Sequence, residues 1–125
     1  MPAPNPADLQ SLSILVVEDT FLVADMIAEE LISAGCHVVG PVAKLRQGVT
    51  AASVESLDGA FLDVNLAGEH SFPIADVLTE RGIPFAFLTG YGDGIIPPQY
   101  QSVPRLSKPF DLGELVNLAR GFRGG

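Results

Sequence analysis

Five polar residues stand where a predicted strand stops: Glu18 and Asp19 after residues 12–17, Asp63 after 59–62, Thr89 after 84–88, and Lys108 after 105–107. The carboxyl ends of the strands in an open parallel sheet share one edge, and ligands bind in the crevice there, so all five converge on one place. Three carboxylates gathered in a medium of reduced dielectric repel one another. Their pKa values rise and stability falls unless a cation sits among them. A hard divalent ion, Mg2+, answers that need. It takes octahedral oxygen ligands and keeps several waters, so carboxylates, a backbone carbonyl and a phosphoryl oxygen would complete its shell.

The elements that must position these residues are predicted from period. Short apolar runs alternate with longer helical patterns, which is the pattern of five β-α units on a parallel sheet. Strand one, 12–17, is apolar throughout, as a strand buried on both faces should be. A helix over 20–33 carries the stripe Val23, Ile27, Leu31 and closes at Gly35. Strand two, 36–39, is expected to stop at Gly40-Pro41, with a weaker helix over 43–52 that contains Gly48. After strand three and Asp63, the polar stretch 65–71 reads as a loop, followed by a helix over 72–80 with Pro73 in its first turn. The connection 91–102 holds two glycines and two prolines, so at most one or two helical turns fit, and it is expected to be the softest part of the domain. Asp111 with Glu114 three residues on forms a capping box for the last helix, which is expected to end at Gly121.

Composition narrows the function classes. A length of 125 residues fits one domain, 47% hydrophobic content is enough for a core, and a single cysteine excludes a disulfide scaffold. Only seven basic residues against a net charge of −8 argue against a grip on nucleic acid, which needs clustered Lys and Arg. The start has neither a charged n-region nor an apolar h-region, and no apolar run approaches the roughly 20 residues of a membrane span. A cytoplasmic chain is expected. Three prolines in the first six residues predict a disordered tail over 1–10, with the domain over 11–121 and a short tail over 122–125.

An acidic pair after strand one, Asp after strand three, Thr after strand four and Lys-Pro after strand five resemble the response-regulator receiver domain (CheY-like). The resemblance runs from Leu12 to about Arg120. Pro84-Phe-Ala-Phe-Leu-Thr-Gly-Tyr-Gly92 is similar to the FATGUY subgroup of stand-alone receivers, with Leu88 where that motif has Ala. The resemblance implies a doubly wound, flavodoxin-like sheet of order 2-1-3-4-5 with five helices, the fourth short or mobile. It implies that Asp63 takes a phosphoryl group from a histidine kinase or a histidine phosphotransfer protein, in a two-component system or phosphorelay, catalysing only its own modification. Asp19, Asp63 and the Asn65 backbone carbonyl would hold Mg2+, and Glu18 would act through a water. Lys108 would pair with Asp63 and then with the phosphoryl group, and Thr89 would donate to another phosphoryl oxygen. Gly90 would leave the donor a path. The subgroup implies an HWE-type kinase, and the family a monomer or a phosphorylation-dependent dimer that signals by binding or drains phosphate. Many receivers couple the Thr to an aromatic residue three before the Lys. Arg105 stands there, so the signal is expected to run through 91–102, which phosphorylation would order.

Taken singly, each residue has a plainer reading. Glu18-Asp19 could cap a helix, Asp63 and Thr89 could be turn residues, and Tyr91 and Asn65 could be loop polarity. Their joint order at strand ends favours the site. His37 reads as a packed or edge histidine, His70 as solvated, and Cys36 as a small core residue. A Mg2+-dependent aspartyl-nucleophile phosphohydrolase is the enzyme rival, but it commonly carries a second Asp two residues after the nucleophile, where Asn65 cannot shuttle a proton. A nucleotide-binding module lacks its glycine loop. A receiver-like module that is never phosphorylated would have no need of the intact acceptor set.

Overall fold

Continuous apolar strands flanked by amphipathic helices pack as three layers, and the computed structural model, which describes residues 9–90, 94 and 96–124, shows that arrangement. In chain order the elements are β1 (Ser13–Val17), α1 (Phe21–Ser33), β2 (His37–Val42), α2 (Leu45–Val54), β3 (Gly59–Asp63), β4 (Asn65–Leu66), β5 (Glu69–His70), α3 (Phe72–Arg81), β6 (Phe85–Thr89), a 3-10 turn (Pro98–Tyr100), β7 (Arg105–Ser107) and α4 (Leu112–Gly124). The main sheet has the order β2-β1-β3-β6-β7, all parallel. This is the expected 2-1-3-4-5 order once the small β4-β5 hairpin is set aside.

The two-residue period of the strands divides the core. Leu15, Val17, Ala60, Leu62, Phe85 and Phe87 face α2 and α3, where they meet Ala52, Ile74, Ala75 and Leu78. Their neighbours Ile14, Val16, Phe61, Ala86, Leu88 and Leu106 face Ile27 and Leu31 of α1 and Leu115, Ala119 and Phe122 of α4. Gly48, which weakens α2 as a helix, is there because α2 lies close on α3: a Cβ at that position would overlap Ile74 Cδ1. At the end of α3, Arg81 Nη1 donates to the carbonyls of Ala52, at 2.5 Å, and Glu55, at 2.8 Å, binding oxygens that the end of α2 leaves open.

Several expectations need correction. Among the described residues there are four α-helices, and the place of a fourth of five is taken by the 3-10 turn, because Pro97 and Pro98 leave no room for a longer run. β2 does not stop at Gly40-Pro41 but runs on to Val42. It is an edge strand, where a missing N–H is tolerated, and its register with β1 shifts between Leu15 and Val17. The stretch 65–71 holds the antiparallel β4-β5 pair, turned through Ala67 at φ 53 and Gly68 at φ 97. Leu9 is buried in the α1 side of the core, and α4 continues through Gly121 to bury Phe122. Residues 1–8 and 125 lie outside the described residues.

Phe122 explains a glycine in a strand. Its ring lies 5.3 Å from the Phe61 ring and over Gly59, where a Cβ would overlap it. Gly59→Ala is expected to lower stability by about 1–3 kcal/mol through this overpacking. In a Phe122→Ala background the same substitution should cost almost nothing, a non-additivity that urea denaturation of the double-mutant cycle checks.

Candidate functional site

Each candidate side chain is delivered by the end of a strand. β1 runs out at Val17, and the Glu18 N–H is taken by the Val42 carbonyl at 3.0 Å, so the acidic pair emerges at the sheet edge. Asp63 is the last residue of β3, paired in register with Leu88, and the Leu88 carbonyl accepts the following Val64 N–H at 3.1 Å. Thr89 ends β6 opposite Ser107 of β7. Its carbonyl accepts the Lys108 N–H at 2.7 Å, which fixes where the lysine leaves the sheet.

Lys108 Nζ lies 2.8 Å from Asp63 Oδ1 and 2.8 Å from Glu18 Oε2. Both acids are buried, at 3% and 1% exposure, whereas Asp19 is exposed. The second Glu18 oxygen, Oε1, accepts the Thr20 N–H at 3.0 Å. Glu18, Asp19 and Asp63 can each offer an oxygen within 4.8 Å of the others. An all-oxygen, multiply anionic donor set of this kind fits a hard divalent cation. One ammonium facing two buried carboxylates leaves the charge incompletely met. Burial first, and then the hydrogen bond and charge of Glu18, push the Asp63 carboxyl up to about 9 against the pull of Lys108. Burial works against the Lys108 charge, but Asp63 and Glu18 outweigh it and hold the lysine above its ordinary value.

The structure thus brings together four of the expected side chains, Glu18, Asp19, Asp63 and Lys108. Thr89 stands beside them, its Oγ1 directed at the Leu106 carbonyl at 3.4 Å and at Ser107 Oγ at 3.5 Å. The Asn65 side chain is engaged in the hairpin, where Oδ1 accepts the Gly68 N–H at 2.7 Å. That leaves its main chain as the part available for the expected ligand role. Gly90 follows Thr89 as expected, while Tyr91 lies outside the described residues. His37 is exposed on the edge strand, and His70 is exposed with its ring 5.2 Å from Phe72. Cys36 is buried, and burial raises its thiol pKa.

Two features were not anticipated. One is the pairing of Glu18 with Lys108, which residue spacing cannot show. The other is a cavity of about 350 Å3 next to Lys108, lined by Val23, Met26, Ile27, Pro109, Phe110 and Leu112. The exposed Phe21, Leu22 and Met26 lie on the same helix, α1. Three apolar residues left exposed in the first two turns of that helix were the available sequence signal.

Comparison with known proteins places the chain. No protein-family model and no curated protein matches the sequence. Among solved structures, SdrG from Sphingomonas melonis Fr1 is 33% identical over 94% of this chain and 98% of that one, with a TM-score of 0.79. The receiver domain of the sensor histidine kinase PA1611 from Pseudomonas aeruginosa PAO1 is 26% identical over 92% and 99%, with a TM-score of 0.80; that structure holds a magnesium ion in its active-site cleft. A CheY-like response-regulator receiver domain from Methanospirillum hungatei JF-1 shares the fold at 19% identity, over 90% and 94%, with a TM-score of 0.75. The chain belongs to the response-regulator receiver (CheY-like) family.

The electrostatics predict a pH dependence. Because the folded-state pKa of Asp63, about 9, lies above the ordinary 3.8, the native state keeps a proton that the unfolded chain has released. The stability this lends is full below the unfolded pKa and is lost as pH rises towards the folded value. Urea midpoints measured without divalent cations should therefore fall over that window, and Asp63→Asn should flatten the fall.

Proposed function

We propose that this chain is a phosphoacceptor of a two-component or phosphorelay system, with Asp63 taking a phosphoryl group from a phosphohistidine on a histidine kinase or a histidine phosphotransfer protein. The observation that carries this reading is the buried Asp63 carboxylate, bound to Lys108 at 2.8 Å and within ligand distance of Glu18 and Asp19. Asp63 must first give up the proton that burial favours, a loss that positive charge at the cluster promotes; its deprotonated oxygen then forms the new bond to phosphorus as the P–N bond breaks, and the bonding pair leaves on the histidine nitrogen. Lys108, already at the acceptor oxygen, is placed to hold the incoming phosphoryl oxygens. The Thr89 hydroxyl, turned in the resting site towards β7, can donate to another.

Asp19, Asp63 and the Asn65 backbone carbonyl would hold Mg2+, with Glu18 reached through a water. Bound there, the ion would neutralise phosphoryl oxygens as charge redistributes. The site lies on an edge open to a donor protein, and the exposed Phe21, Leu22 and Met26 beside the apolar cavity give that donor a surface to seat on. The run 84–92 supports assignment to the FATGUY subgroup and, through it, an HWE-type kinase. A cytoplasmic place of action belongs to the same reading; no helix among the described residues is long and apolar enough to cross a membrane.

The test is phosphorylation of the purified chain by a small phosphodonor, read by intact mass with and without Mg2+. A single Mg2+-dependent adduct that is absent in Asp63→Asn is expected; an adduct that persists in the mutant, or none in the wild type, sinks the reading. Thr89→Ala should form the same adduct about ten-fold more slowly, the effect of one charge-assisted hydrogen bond, measured from the time course. Adduct decay then separates the two uses of the phosphoryl group, since a signalling form should persist for minutes and a drain should empty quickly.

A further inference from the structure

We propose that Arg105 and Tyr100 form a latch that holds the end of the β6–β7 connection against the sheet, and that phosphorylation opens it by drawing Thr89 away from β7. The inference rests on the reading of Asp63 as phosphoacceptor and assigns the regulation of that site.

The described part of the connection is tied down rather than loose. The Tyr100 ring is buried among Phe72, Phe85 and Phe87, with centroids 6.3, 6.0 and 5.9 Å away, and its hydroxyl donates to Asp76 of α3. On the other side, Arg105 Nη2 donates to the Gln101 carbonyl at 2.9 Å and reaches the Tyr100 carbonyl at 3.5 Å. The Tyr100 carbonyl also accepts the Val103 N–H at 3.2 Å. One tie therefore runs to α3 and the other to β7. An Arg fork suits the second, since it can bridge two carbonyls while its charge stays in water, and Arg105 is exposed.

β7 is three residues long and connects this latch to the site. Arg105 stands opposite Phe87, Ser107 stands opposite Thr89, and Leu106 between them supplies the carbonyl that faces Thr89 Oγ1. A hydroxyl held by a phosphoryl oxygen gives up its contacts to Leu106 and Ser107, and the bond from the Lys108 N–H to the Thr89 carbonyl passes a shift of Thr89 on to the site end of β7. Phosphorylation thus acts on one end of β7 and the latch on the other. Coupling between two sites is reciprocal, so whatever factor by which the phosphoryl group loosens the latch, breaking the latch must favour the phosphoryl state equally. Because 98–101 is already bound in the resting chain, the change available over those residues is release.

The experiment is hydrogen exchange of the full chain over residues 96–104, for wild type, Arg105→Gln and Tyr100→Phe, each with and without beryllofluoride plus Mg2+. Both substitutions keep the ring packing at position 100, and unchanged protection in β1 and β3 checks the fold. Without the analogue, each variant should exchange about three- to ten-fold faster across 96–104, the loss of one hydrogen bond. The analogue should speed exchange there in the wild type, add little in the variants, and bind the variants more tightly by a similar factor. Analogue binding with exchange over 96–104 unmoved, or moved equally in all three proteins, overturns the latch alone. Failure of the wild type to bind the analogue sinks the phosphoacceptor reading and the coupling with it.

Discussion

A single ammonium group shared between two buried carboxylates organises this molecule. Lys108 reaches Glu18 and Asp63 at the same distance, 2.8 Å, and it can do so only because β1, β3 and β7 end at the same height on one edge of the sheet. Buried charges are costly unless paired, and here the pairing is one against two. Burial first, and the neighbouring Glu18 second, leave a carboxyl that holds its proton far above the usual range. A structural ion pair would have been built to balance. An arrangement of oxygens that is short of positive charge instead suits a hard cation.

The main sheet was legible because its central strands are buried on both faces. The polar–apolar alternation of a half-buried strand is absent there: residues 14–17 and 60–62 are apolar at every position, and each run is followed by an acid. The order of the strands and the convergence of Asp63 with Glu18 and Asp19 followed from that pattern together with the family resemblance. What escaped was local geometry decided by position in the fold. Gly40-Pro41 reads as a stop, yet at an edge strand the missing donor faces no partner, and β2 continues to Val42. Gly121 reads as a helix end, yet burial of Phe122 carries α4 past it. The two-residue strands around Ala67 and Gly68 are too short to leave a period.

Side-chain partners were legible only where the family resemblance implied them. Asp63 with Lys108 was expected, whereas the second claim on Lys108, from Glu18, depends on the Thr20 N–H turning that carboxylate, a detail of backbone course. Arg105 was recognised as out of place for an aromatic, but its carbonyl partners on the 98–101 turn belong to a connection with no regular pattern to read. The aromatic group of Phe72, Phe85, Phe87 and Tyr100 draws on three separate stretches of chain, so it comes into being only with the tertiary structure.

The strand order also sets the sequence of events during synthesis. β1 lies between β2 and β3, so the first 63 residues contain the centre of the sheet and all three carboxylates, while the lysine that answers them is encoded 45 positions later (108 − 63). On a ribosome the acidic half emerges first. A partly formed sheet that lacked the last strand would have to meet the charge of that cluster with protons or cations from the surrounding solution.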